Sequence, residues 1–124
     1  MIDFSNASFM KLTAIGNDIG EKAISGMLVD GESIISTFQT VRDMVIFTNK
    51  RVIAVNVQGI TGKKKDYTSL PYSKVQAFSV ETAGMLDMDS ELDLWFSGLG
   101  KVRFEFKSNF DIATFNKLLS NYIL

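Results

Sequence analysis

Two apolar runs, residues 44–47 and 52–55, stand on either side of the polar turn Asn49-Lys50-Arg51, and no other feature limits the fold of this chain as much. Both runs are short, unbroken and rich in β-branched residues, with no 3.6-residue period, so they form strands wetted on one face or on neither. Residues 41–57 therefore make an antiparallel hairpin at the core of the molecule. Asn49 suits a left-handed backbone in the turn, and the Thr48 hydroxyl can bond to the backbone nearby. Lys50 and Arg51 are contact candidates at the hairpin tip. An anion-binding nest over 48–51 competes with this reading, but turn chemistry accounts for the same residues without a ligand.

A second hairpin follows from strict alternation. Leu92, Leu94 and Phe96 share one face against Glu91, Asp93, Trp95 and Ser97. After Gly98-Leu99-Gly100, the next strand answers with Val102, Phe104 and Phe106 inward and Lys101, Arg103, Glu105 and Lys107 outward. Trp95 falls on the charged face, where it is either covered by the N-terminal segment or an anchor for an oligomer contact.

Further strands are predicted at 32–39, 63–69 and 75–81, with Pro71 marking an edge, corner or bulge and a loop over 83–90. At the N-terminus, Phe9, Leu12, Ile15 and Ile19 recur at three- and four-residue intervals. That spacing predicts a helix between residues 6 and 22, capped by Ser5 or Asn6 and broken or bent at 16–18, with Gly20 and Gly26 keeping it from running into the strands. The Ser-x-x-Asp signal at 108–111 starts a final helix whose apolar stripe is Ile112, Phe115, Leu118, Leu119 and Tyr122. The fold class is mainly β with helices. One domain spans 1–124: a helical segment (1–26), a β barrel (27–107) and a capping helix (108–124).

Composition removes much chemistry. The 124 residues include no cysteine and no histidine, which excludes disulfides, thiolate nucleophiles, the usual zinc sites and imidazole catalysis. Thirteen basic against fourteen acidic residues leave a net charge of −1, so no global field draws the chain to nucleic acid. The N-terminus lacks the pattern of a signal peptide, and the expected location is the cytoplasm. No catalytic, cofactor-binding or metal-ligating residue is assigned. The acidic run 87–93 fails as a calcium loop because Leu92 stands where an EF-hand needs glycine and Gly98 where it needs glutamate.

Several separated motifs, in order along nearly the whole chain, carry a family resemblance: DMVIFTNKRVI (43–53), QGITGKK (58–64), SLPY (69–72), FSVETAG (78–84) and ELDLW (91–95). Together they resemble the short bacterial pleckstrin-homology (PH-like) family, formerly a domain of unknown function. The resemblance implies two roughly orthogonal antiparallel sheets of about seven strands forming an open barrel, plugged at one end by the last helix. It also implies a non-catalytic module that assembles into a homo-oligomer, a ring, through strand-mediated contacts and offers a polar surface to protein partners. Carried onto this sequence, that surface is Asp43, Lys50, Arg51, Thr61, Gly62 and Lys63, with Asp89 and Glu91. The chain departs from the eukaryotic lipid-binding version, since Arg42 is the only basic residue between Ser33 and Thr48. The alternative function is a peripheral adaptor on anionic membrane through Lys63, Lys64 and Lys65, although three lysines alone hold a bilayer weakly, at about 1 kcal/mol each.

Overall fold

The central hairpin forms where its residues dictate. Numbered in chain order with the two strands that precede it, it joins β3 (Met44–Thr48) to β4 (Arg51–Gln58), with Met44 opposite Val55 and Phe47 opposite Val52. The computed structural model describes residues 9–124, which fall into two units, 14–71 and 9–13 with 72–124. The first unit contains helix α1 (Asn17–Ala23), β2 (Ile34–Gln39), the β3–β4 hairpin and β5 (Lys64–Pro71), with strand order β5-β4-β3-β2, all antiparallel. Val45, Ile46, Phe47, Val52, Ile53 and Ala54 are all fully buried, so both faces of this hairpin are covered and its apolar runs are continuous for that reason.

Helix α1 packs on β2, and Gly20 sets how closely. A Cβ at Gly20 would lie 2.3 Å from Thr37 Oγ1 and 2.9 Å from Thr37 Cγ2. The glycine that looked like a helix stop is instead the point of closest approach. Thr37 cannot swing aside without breaking the hydrogen bond that its hydroxyl donates to Asn17 Oδ1. Gly20→Ala should therefore destabilise the protein by about 1–3 kcal/mol through overpacking, read as a lowered thermal midpoint.

The second unit contains β6 (Val75–Glu81), β7 (Ser90–Phe96), β8 (Gly100–Phe106) and helix α2 (Ile112–Ile123). It also holds most of β1 (Phe9–Ile15), giving the order β1-β8-β7-β6. The alternation of β7 and β8 is as expected: Leu92, Leu94, Val102, Phe104 and Phe106 are buried. Ile112, Phe115 and Leu119 of α2 are buried too, while Leu118 and Tyr122 stay exposed, so the apolar stripe is narrower than predicted. The helix packs on β6 and on the short 3-10 turn Tyr72–Lys74.

Two boundaries differ from the sequence reading. Residues 9–15 form a strand, and helix begins only at Asn17. The misleading spacing comes from a β-bulge: Phe9 pairs with Phe104 and Leu12 with Phe106, three residues against two, with Lys11 at φ 63° as the bulged residue. A helix-like interval thereby serves a strand, so that among the described residues the strands number eight rather than about seven, and β1 pairs with β8 in parallel rather than antiparallel. The predicted cap at Ser5 or Asn6 lies outside the described residues. At the other end, α2 starts at Ile112 because Asn109 is left-handed (φ 73°), and Asp111, not Ser108, caps it by accepting from Thr114 N at 3.1 Å.

The lateral strands of the two units contrast. Strand β5 carries Lys64 and Lys65 and ends at Pro71, whereas β6 has no charge or proline before Glu81.

Candidate interaction surfaces

The turn at 48–51 is tied to the loop that precedes β2. The Glu32 side chain is 0% exposed. Its Oε1 accepts from Val29 N and Arg51 Nη2, both at 3.0 Å, and its Oε2 accepts from Thr48 Oγ1 at 2.7 Å and Arg51 Nε at 2.9 Å. Arg51 also donates to Met27 O and Ser69 Oγ, each at 2.9 Å. Asn49 works through its side chain, accepting from Ser33 N and donating to Gly31 O; among the described residues, only Lys11 and Asn109 are non-glycines with positive φ. The amides of Lys50 and Arg51 both donate to Thr48 Oγ1, so the turn is no anion nest. Arg51 is an internal cation here, and of the two tip residues only Lys50 is exposed.

Burial alone would raise the Glu32 pKa, but the bonds from Arg51, Thr48 and Val29 outweigh it and hold the carboxyl below its ordinary value. A depressed native pKa contributes stability above the unfolded value, about 4.3, and loses it as pH falls through the lower native value. Acid unfolding should therefore steepen below about pH 4.3, and Glu32→Gln should flatten that limb in denaturation measured against pH. A cavity of about 310 Å³ beside this network is bordered by Asn17, Asp18, Glu21, Leu28 and Ile34, with Glu32 already saturated.

At the far end of the same hairpin, the β2–β3 and β4–β5 loops are clasped together. Asp43 Oδ1 accepts from Val57 N at 3.0 Å, Asp43 Oδ2 from Asn56 Nδ2 at 3.2 Å, and Arg42 donates to Gly59 O. Val41 and Ile60 project from these loops essentially fully exposed. Gly62 takes a left-handed conformation (φ 68°), and the Lys63 amide donates to Thr61 Oγ1. Lys63, Lys64 and Lys65 are all exposed. Asp43, Thr61, Gly62 and Lys63 thus meet at one end, while Lys50 and Arg51 sit on the order of 20 Å away along the strands.

Asp89 and Glu91 belong to the second unit. There, β6, β7 and β8 set Glu81, Glu91 and Glu105 side by side in one cross-strand row. The next row holds Ser79, Asp93 and Arg103, and the one after it Ala77, Trp95 and Lys101. Arg103 forks onto Asp93 at 2.9 and 3.0 Å and reaches Glu91 at 3.3 Å; Lys11 pairs with Asp89. Asp93 is buried by this pairing although it was expected to face water, and Trp95 is half-buried. Burial raises the Glu91 pKa, the carboxylates of Glu81, Glu105 and Asp93 push the same way, and Arg103 opposes them. Among the described residues, no three Asp or Glu side chains converge so as to hold a metal ion, and no helix is long and apolar enough to cross a membrane.

With this geometry in place, comparison with known proteins identifies the chain. A family model described as a bacterial PH domain matches residues 3–123. The chain belongs to the bacterial PH domain family. It is 42% identical to the uncharacterized protein YjqA of Bacillus subtilis (strain 168) over 117 residues, 93% of this chain and 90% of that one. Among crystal structures, it is similar to a DUF1696-family protein with a pleckstrin-homology domain from Shewanella loihica PV-4, at 37% identity and TM-score 0.79 over 92% of this chain and 98% of that one. It is also similar to a pleckstrin homology domain from Shewanella amazonensis SB2B, at 38% identity and TM-score 0.66 over 96% and 93%. The motif resemblance therefore holds, and the fold class is mainly β, PH-like, with a C-terminal helix.

The sequence reading of this bacterial PH domain passed over Val41, Arg42, Ile60, Met85 and Leu86. For Ile60, Met85 and Leu86 the signal was present, as apolar residues inside glycine-marked loops where turn chemistry favours polar ones; Val41 and Arg42 sit in the short loop 40–43, which carries no such mark.

Proposed function

We propose that this bacterial PH domain is a non-catalytic, cytoplasmic interaction module that self-associates into a homo-oligomer, a ring, and presents its remaining polar surface to a protein partner. One observation carries the reading. Val41, Ile60, Met85 and Leu86 are each 97% exposed or more, on loops held in shape by hydrogen bonds. Ordered loops that hold aliphatic side chains in water have the character of contact surfaces rather than of linkers. Trp95, half-buried among charged neighbours, adds an aromatic of the kind that anchors interfaces. Sedimentation velocity at micromolar concentration should give one defined species larger than the monomer. A monomer at every concentration overturns the reading.

A second reading, a peripheral adaptor on anionic membrane, has its own support in Val41 and Ile60 beside Arg42 and Lys63 to Lys65. It predicts salt-sensitive co-sedimentation with phosphatidylserine vesicles, lost in a Lys63→Glu/Lys64→Glu/Lys65→Glu variant.

A further inference from the structure

We propose that the basic, aliphatic loop end of the first unit in one copy docks on the acidic β6–β7 loop of the second unit in another copy, in a head-to-tail contact. This rests on the self-association reading and names the surfaces that carry it.

The two surfaces are opposite in charge and alike in apolar content. On the first, Val41 and Ile60 are 101% and 104% exposed. Around them stand Arg42, Lys63, Lys64 and Lys65, against Asp43 and Asp66, whose carboxylates already accept hydrogen bonds inside the unit. On the second, Met85 and Leu86 are 97% and 103% exposed and Met88 is 50% exposed. This loop too is braced, by Gly84 N donating to Asp87 O at 2.7 Å and Asp89 N to Asp87 Oδ1 at 3.0 Å.

Around the second loop, carboxylates outnumber cations. Glu81, Asp87, Asp89, Glu91, Glu105 and Asp93 face Lys11, Arg103 and Lys107. Arg103 is engaged by Asp93 and Glu91, and Lys11 by Asp89. Among the described residues, neither Glu81 nor Glu105 has an ion-pair partner within 4 Å, yet both flank Glu91 on adjacent strands. Like charges placed directly across strands destabilise a sheet, and an incoming cationic surface relieves them. Four cations beside two aliphatic side chains supply that surface, and Met85, Leu86 and Met88 supply adaptable apolar contacts for Val41 and Ile60. A second copy fits the basic end better than a bilayer does, because the chain itself carries the complementary surface. Each copy offers both halves, so the contact repeats from copy to copy.

Two charge-reversal variants test this: Lys63→Glu/Lys64→Glu/Lys65→Glu, acidic on both surfaces, and Glu81→Lys/Asp87→Lys, basic on both. All five positions are exposed; Asp87 Oδ1 accepts from Asp89 N within its own loop, and the other four side chains have no hydrogen bond among those described, so circular dichroism should show both variants folded. In sedimentation velocity the wild type should oligomerise, each variant alone should associate about tenfold or more weakly, and an equimolar mixture should recover the wild-type species. A Val41→Ser/Ile60→Ser variant should weaken association without responding to mixing. If both reversal variants keep the wild-type oligomer, the interface lies elsewhere and self-association stands. If the wild type is monomeric, self-association and this contact fall together. Vesicle binding lost on lysine reversal, with no effect on oligomer size, would assign the basic end to membrane instead.

Discussion

Replacing Arg51 by alanine should cost about 3–5 kcal/mol of folding stability, the range for removing one partner of a buried ion pair. The effect is large because of what remains behind. Glu32, with its side chain fully buried, would keep only the Val29 amide and the Thr48 hydroxyl. The Met27 carbonyl would lose its bond from the guanidinium as well, loosening the loop over 27–33 that holds the central turn. Arg51→Lys should recover only part of the loss, since one ammonium cannot span Glu32, Met27 and Ser69 together. Replacing the pair as Glu32→Leu/Arg51→Met should come much closer to the wild type than either single change, because no charge is then left buried. Urea unfolding midpoints for these five variants check this, and an unchanged midpoint for Arg51→Ala would remove the network from the account of stability.

Phe106→Ala should cost about 3–5 kcal/mol by opening a cavity in the second unit. Phe106 is 0% exposed and lies 4.6 Å from the Phe110 ring in a stacked arrangement and 5.8 Å from the Phe115 ring edge-on. Phe110 and Phe115 are themselves 5.4 Å apart, so three rings join β8 to the start of α2. Losing the central ring removes apolar burial and two ring contacts at once. Beyond a lower urea midpoint, amide exchange in α2 should accelerate more than exchange in β3 and β4, which belong to the first unit. Uniform acceleration throughout would show that the rings do not act locally.

Much of the fold was legible because burial imposes a period on residues near one another in sequence. The β7–β8 hairpin declared itself through alternation, and β3 and β4 through unbroken β-branched runs covered on both sides. Bulges and long-range bonds leave no such trace. Lys11 shifts the phase of β1 by one residue, which turns a strand into an apparent helix face. Arg51 reads as a solvent-facing turn residue until Glu32, nineteen positions earlier, is brought beneath it. The residues carried over from the family motifs likewise separate. Asp43, Thr61, Gly62 and Lys63 meet at one end of a hairpin, Lys50 and Arg51 at the other, and Asp89 and Glu91 belong to a different unit. Proximity across strands is fixed by register, which no local pattern displays.

The uneven armour of β5 and β6 has a consequence for handling the protein. Lysines and a proline discourage foreign strands from zippering onto β5, whereas the segment 75–80, uncharged and without proline, offers no such deterrent. On prolonged heating or at high concentration, insoluble cross-β material should therefore nucleate along β6, and a lysine in place of the exposed Gln76 should delay the onset of turbidity.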